Sequence, residues 1–128
     1  MADILLIEPD KLLAETYFLA LDQAGHRVMA CAGAQSAILV ADRHQPELVI
    51  LELQLVEHSG IEFLYEFRSY PEWQDIAVIV NSFVPPSEFS ASQELLRDEL
   101  GVVAYLYKPR ASLQQLLGTV SKHSPVKA

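Results

Sequence analysis

Short apolar runs alternate with longer amphipathic stretches along the whole chain. The apolar runs fall at residues 4–7, 27–31, 48–51, 77–80 and 102–106. They are near-continuous rather than alternating, the pattern of strands covered on both faces of a parallel sheet. Between them lie stretches of helical spacing that begin near Asp10, Ala34, Ser59, Ser87 and Ala111. Two starts, Ser59-Gly60-Ile61-Glu62 and Ser90-Ala91-Ser92-Gln93, read as capping boxes. In such a box a hydroxyl and a side chain three residues on satisfy two N–H groups that the helix cannot. Gly25 and Gly101 stand where the first and fourth helices should stop, as glycine often does. Residues 69–75 read as a loop. The reading gives one domain over residues 1–123 and a flexible tail over 124–128. Strand–helix alternation of this kind predicts repeated βα units around a parallel sheet.

Composition narrows the picture. Hydrophobic residues make up 51% and charged residues 20%, enough apolar side chains for a packed core. A net charge of −8 and a pI near 4.8 argue against a nucleic-acid partner, which calls for a basic face. The longest apolar runs are too short to cross a bilayer. The N-terminal run lacks the basic flank and cleavage site of a secretory signal, so the expected location is the cytoplasm. Cys31, the single cysteine, lies in an apolar run and is expected to be buried filler. His26, His44, His58 and His123 are scattered and form no ligand set. The motifs GxGxxG, GxxxxGK[ST] and GxSxG are missing, and with them the signals for a phosphate cradle or a nucleophile elbow. No enzyme is expected.

Five βα units in 128 residues predict a flavodoxin-like, doubly wound α/β sheet of five parallel strands with helices on both faces. Such sheets bind ligands at the carboxyl ends of their strands, so the polar residues after each strand matter most. Glu8, Pro9 and Asp10 follow the first strand, Glu52 closes the third, Ser82 follows the fourth, and Lys108-Pro109 follows the fifth. Two carboxylates, a hydroxyl and an ammonium are predicted to meet on one rim.

This pattern resembles the receiver domains of bacterial response regulators over essentially the whole chain. The matching segments are Ile4-Leu5-Leu6-Ile7-Glu8, Pro46-Glu47-Leu48-Val49-Ile50-Leu51-Glu52, Ser59-Gly60, Val78-Ile79-Val80-Asn81-Ser82 and Tyr105-Leu106-Tyr107-Lys108-Pro109. The resemblance implies a strand order of 2-1-3-4-5. It implies a phosphoacceptor Asp after the third strand and two acidic residues after the first that help hold Mg²⁺. It also implies a Thr/Ser and a Lys on the phosphoryl oxygens and a cis peptide before Pro109. Lys108, Ser82 and Glu8 match their positions. Glu52 stands at the phosphoacceptor position and Pro9 at the second acidic one, whose carboxylate is the direct metal ligand in that family.

Both departures carry chemistry. Mg²⁺ is held by one or two carboxylates in near-octahedral geometry. Proline supplies none, and Asp10 reads as the cap of the first helix. Glu52 is one methylene longer than Asp, and misplacement by about 1 Å can cost roughly a hundredfold in rate. Phe83 crowds the pocket mouth where receivers carry a small residue, and Arg110 replaces a Phe. The leading expectation is an atypical receiver that works without phosphorylation. Its degenerate phosphorylation pocket comprises Glu8, Asp10, Glu52, Ser82 and Lys108, with Glu52 partly imitating phosphate. No cofactor is expected, and Mg²⁺ at most weakly. The alternative is a phosphoacceptor whose modified metal site uses Glu8, Asp10 and Glu52. A third class, a small-ligand enzyme on the same fold, has no motif behind it.

The resemblance also implies partners. A histidine kinase or another signalling protein would dock near the first helix, where Leu12, Phe18 and Leu19 lie outside the inward stripe of Leu13, Tyr17, Ala20, Leu21 and Ala24. The fourth helix, fifth strand and fifth helix would form the family's dimer or partner face, and hence a route to a homodimer. Phe89, Leu95, Leu96 and Leu100 supply apolar surface to the fourth helix, and Leu113, Leu116, Leu117 and Val120 give the fifth a core stripe. Phe83 and Tyr105 mark the switch and partner surface, Tyr105 matching an aromatic that swings in or out as the site is occupied. The sequence shows no DNA-binding output segment, so direct transcriptional control is expected only through a partner.

Overall fold

A computed structural model describes residues 2–56 and 58–125. The end of the predicted tail, residues 126–128, lies outside the described residues. The elements run β1 (Asp3–Ile7), α1 (Lys11–Gln23), β2 (Arg27–Cys31), α2 (Ala34–Arg43), β3 (Leu48–Leu51), α3 (Gly60–Arg68), β4 (Ala77–Ser82), β5 (Val102–Tyr107) and α4 (Leu113–His123). The strands form one parallel sheet of order β2-β1-β3-β4-β5. This is the predicted doubly wound, flavodoxin-like fold.

Apolar side chains of the central strands alternate between two cores. Leu5, Ile7, Val49, Leu51, Val78 and Val80 pack on one face with Phe63, Leu64 and Phe67 of α3. Ile4, Leu6, Ile50 and Ile79 pack on the other with Leu21 of α1 and Leu116 and Val120 of α4. Residues of β1, β3 and β4 are therefore almost all buried. The edge strands differ from expectation: β2 and β5 are only partly covered, because each has a hydrogen-bonded neighbour on one side alone.

Helix starts follow local chemistry. Asp10 caps α1, its carboxylate accepting the Leu13 N–H, and Ser59 caps α3 by accepting from Glu62. Gly60 opens α3 against the β3 end, where a side chain would come within 2.7 Å of the Leu53 backbone. The last helix starts two residues later than Ala111, at a full capping box between Ser112 and Gln115. Inside the predicted loop, Pro71–Trp73 forms a 3-10 turn that buries Trp73.

The fourth predicted helix forms only as a short, mixed segment, with α-type bonding limited to its middle, where Leu96 N–H donates to the Ser92 carbonyl. Pro86–Phe89 is a 3-10 turn and Leu95–Glu99 a π-helical turn, so the Ser90–Gln93 capping box is not made. The bonds that form at the segment's start, such as Glu88 N–H to Pro85 and Ser90 N–H to Ser87, are three residues long rather than four. The wide turn that follows closes with Leu100 N–H donating to Leu95 and lets Leu96 and Leu100 both reach the core. Gly101 stops this segment at φ +71°, where a Cβ would strike the Arg68 guanidinium. That guanidinium, at the end of α3, donates to the carbonyls of Leu100 (2.9 Å), Trp73 (2.6 Å) and Ile76 (2.5 Å). Arg68 thus ties α3, the turn before β4 and the turn before β5 together.

Candidate functional site

Register delivers the site. β1 and β3 pair with Ile7 opposite Leu51, so Glu8 and Glu52 leave the sheet side by side, and Glu52 N–H bonds to the Ile7 carbonyl at 3.0 Å. On the next seam Lys108 N–H bonds to the Ser82 carbonyl at 2.9 Å. Ser82 ends β4 rather than following it. Four side chains, from Glu8, Glu52, Ser82 and Lys108, are carried to one rim by backbone pairing alone.

There they form a closed network. The Lys108 ammonium lies 2.5 Å from Glu8 Oε1 and 2.6 Å from Glu52 Oε1, and these side chains are only 3–4% exposed. Glu52 Oε1 also accepts the Phe83 N–H, and Oε2 accepts the Ser82 hydroxyl and the Gln54 N–H. Glu8 Oε2 accepts the Asp10 N–H at 3.1 Å. Among the described residues no buried side-chain nitrogen or oxygen lacks a partner. Such completeness matters, because a buried charge without partners costs several kcal/mol.

The charges settle accordingly. Burial opposes ionisation of Glu52, but the hydrogen bonds from Lys108, Ser82 and the Gln54 N–H outweigh it and hold the carboxyl below its ordinary range. Burial likewise opposes the charge on Lys108, and its bonds to Glu52 and Glu8 overcome that, holding the ammonium above the ordinary lysine value. Two carboxylates and one ammonium leave one net negative charge.

A relay of bonds leads outward from the cluster. Ser82 Oγ accepts the Val84 N–H at 3.0 Å, and the Val84 carbonyl accepts the Tyr105 hydroxyl at 2.6 Å. Tyr105 packs against Phe89, ring centroids 6.1 Å apart. Burial, with the nearby Glu52 and Glu88 charges, pushes the Tyr105 phenol up to about 12. Phe83 is half exposed, and its ring centroid lies 4.7 Å from the Lys108 ammonium, a cation–π contact over the cluster.

Asp10 stands apart from the other predicted pocket residues: its carboxylate caps α1 and only its N–H reaches Glu8. The peptide before Pro109 is trans, since no described residue carries a cis bond; the turn is closed by Arg110 and Ala111 N–H groups on the Tyr107 carbonyl. Sequence reading missed the backbone donors at Gln54, Phe83 and Val84 and the ring of Phe83 over Lys108. The signal available was the bulky residue directly after Ser82.

The Mg²⁺ implied by the resemblance does not fit the residues present. Pro9 has no side-chain ligand to offer, the Asp10 carboxylate is engaged at the helix start, and the Lys108 ammonium lies between the two remaining carboxylates.

Residues 4–121 match the family model described as response regulator receiver domain. The chain belongs to that family. Receiver domains are signalling modules of two-component systems that interact with kinases and other signalling proteins. Among curated proteins the chain is 30% identical over 109 residues to the KDP operon transcriptional regulatory protein KdpE of Escherichia coli K12, covering 85% of this chain and 45% of KdpE. It is 23% identical over 120 residues to the polar-differentiation response regulator DivK of Brucella anthropi, covering 94% of each. The chain spans less than half the length of KdpE, TcrX and MalR, curated relatives it matches. Among solved structures, chemotaxis response regulator CheY4 of Vibrio cholerae superimposes with a TM-score of 0.82 at 20% identity, over 95% of this chain and 98% of CheY4. A sensor protein from Polaromonas sp. JS666 gives 0.83 at 21% identity over 94% of each chain. At such identities the likeness is one of fold. No helix among the described residues is long and apolar enough to cross a membrane.

Proposed function

We propose that this receiver domain is a cytoplasmic, phosphorylation-independent protein–protein interaction module, with Glu52 at the position where the family carries its phosphoacceptor Asp. One observation carries the reading. The Glu52 carboxylate already accepts from the Ser82 hydroxyl, the Lys108 ammonium and the Phe83 N–H, the donor types that would otherwise hold a phosphoryl group. Charge-assisted bonds of this kind are about twice as strong as neutral ones. They hold the loop after β4 in one arrangement, and through Val84 they engage Tyr105. The partner surface would be read in that fixed arrangement, with Phe83 and Tyr105 on it. A signalling protein such as a histidine kinase or its relay partner is the class of partner, and a homodimer through the 86–99 segment, β5 and α4 is the other use of that face.

The test is direct. Amide NMR spectra are recorded with Mg²⁺ and again with Mg²⁺ plus beryllofluoride, and the intact mass is measured after incubation with acetyl phosphate. The reading expects unchanged signals at Glu52, Ser82 and Lys108 and no phosphoadduct. Phosphate on residue 52, or large beryllofluoride shifts around it, would instead support a phosphoacceptor with a modified metal site. Glu52→Ala, which removes the imitation, is expected to shift the amides of Phe83, Val84 and Tyr105; unchanged signals there would sink the mimicry.

A further inference from the structure

We infer that the Lys108 ammonium is the resident cation of this pocket, permanently occupying the place a divalent ion would need between Glu8 and Glu52. The inference rests on the pocket proposed above and deepens it by naming what keeps the domain indifferent to divalent metals. Three observations carry it. First, one ammonium lies within 2.6 Å of an oxygen of each carboxylate, the separation of direct contact with no room for an intervening ion. Second, the other oxygen of each is taken by fixed N–H groups, Glu8 Oε2 by Asp10 and Glu52 Oε2 by Gln54. Third, the ring of Phe83 faces the ammonium at 4.7 Å and shields it from water.

Electrostatics makes the exchange unfavourable. A hard divalent cation enters by stripping its own water and drawing on carboxylate charge. Here that charge is already matched by an ammonium held by both carboxylates and the Phe83 ring, on a backbone fixed to the rim by the Lys108 N–H bond to the Ser82 carbonyl. A divalent ion would have to drive the lysine away from both carboxylates and the Phe83 ring at once. Removing the ammonium reverses the balance. Two buried carboxylates that converge on one point repel each other, and the site then favours any hard cation that separates them. Lysine removal should therefore create a metal site that the natural chain lacks.

Mn²⁺ is the probe, because its paramagnetism broadens nearby amide signals. The wild-type domain is titrated alongside Lys108→Met, which keeps the stem and removes the charge, and Lys108→Arg, which keeps the charge. The expected result is selective broadening at Glu8, Glu52 and Ser82 in Lys108→Met alone, with an affinity at least about tenfold above the other two. If Lys108→Met does not fold unaided, Mn²⁺ or Mg²⁺ should restore its circular dichroism spectrum, and failure to bind or to be rescued overturns the inference. Site-selective broadening in the wild-type domain overturns it as well, whatever the variants do. Failure of Lys108→Met to bind Mn²⁺ sinks this inference and leaves the interaction-module reading standing, whereas an unchanged Phe83, Val84 and Tyr105 response to Glu52→Ala sinks the mimicry and leaves this inference standing.

Discussion

Glu52 shares two oxygens among four donors, Lys108, Ser82 and the Phe83 and Gln54 N–H groups, so its loss has more than one consequence. Glu52→Gln keeps the shape and removes the charge, leaving Lys108 with Glu8 as its one ionic partner. A cost of about 1–2 kcal/mol in urea unfolding is expected, in line with a charged hydrogen bond replaced by a weaker one. Glu52→Ala also strands the buried ammonium and hydroxyl, and about 3 kcal/mol is expected. Tyr105→Phe removes the single bond to the Val84 carbonyl, at about 1 kcal/mol; its effect on the Phe83 and Val84 amides reports how tightly the relay is coupled. At this scale the sequence was informative wherever a side chain directly ends a strand. Glu8, Glu52, Ser82 and Lys108 were legible because strand ends in a parallel sheet share one rim. The bonds from Gln54, Phe83 and Val84 were not, since a backbone N–H carries no residue signature and its direction depends on loop torsions.

Among the elements, the segment between β4 and β5 is where pattern and structure part. Its apolar positions Phe89, Leu96 and Leu100 are spaced as a helix would space them, yet the backbone takes a 3-10 turn and then a π-helical one. Local hydrogen bonding decides this, and hydrophobic spacing is blind to it: a wide turn and an α-turn both bury Leu96 and Leu100. The central strands were legible because Ile4–Ile7 of β1 and all of β3 are covered on both faces. Edge strands β2 and β5 have the same apolar look, but their neighbours cover them only in part. What anchors the irregular segment is Arg68, whose guanidinium donates to Leu100, Trp73 and Ile76. Arg68→Met keeps the stem and strands those carbonyls, so a loss of about 3 kcal/mol is expected in urea unfolding. Hydrogen exchange should locate it, with faster exchange in residues 95–101 and at the start of β5. Uniform acceleration over the whole sheet would show that Arg68 is no local staple. Gly101→Ala should mimic the effect, combining φ +71° with a clash against the same guanidinium.

Global stability links the cluster to pH through the whole molecule. Glu52 is held below the ordinary carboxylate range by the bonds from Lys108, Ser82 and Gln54 that outweigh its burial. A carboxyl depressed in the folded state contributes stability that is present above its unfolded value and is lost as pH falls through the folded one. Lys108 is raised, because its bonds to Glu52 and Glu8 outweigh burial. Its contribution is complete below the unfolded lysine value and is lost as pH rises through the folded one. The cluster therefore gives a plateau across neutral pH, with losses only beyond the ordinary Glu range on the acid side and the ordinary Lys range on the alkaline side. A second effect acts in the acid region. The net charge of −8 declines toward the pI near 4.8, and relief of self-repulsion stabilises the compact state as pH falls. The two effects separate by salt and by substitution. At 1 M NaCl the screening length is about 3 Å, which removes repulsion among surface charges and leaves the buried contacts of 2.5–2.6 Å largely intact. The stability difference between the wild-type domain and Glu52→Gln should then be constant through neutral pH and shrink toward zero once both forms are uncharged at residue 52. If that difference instead keeps its neutral value in strong acid, the Glu52 charge is not what holds the cluster, and the ion pairs with Lys108 are passengers of the fold.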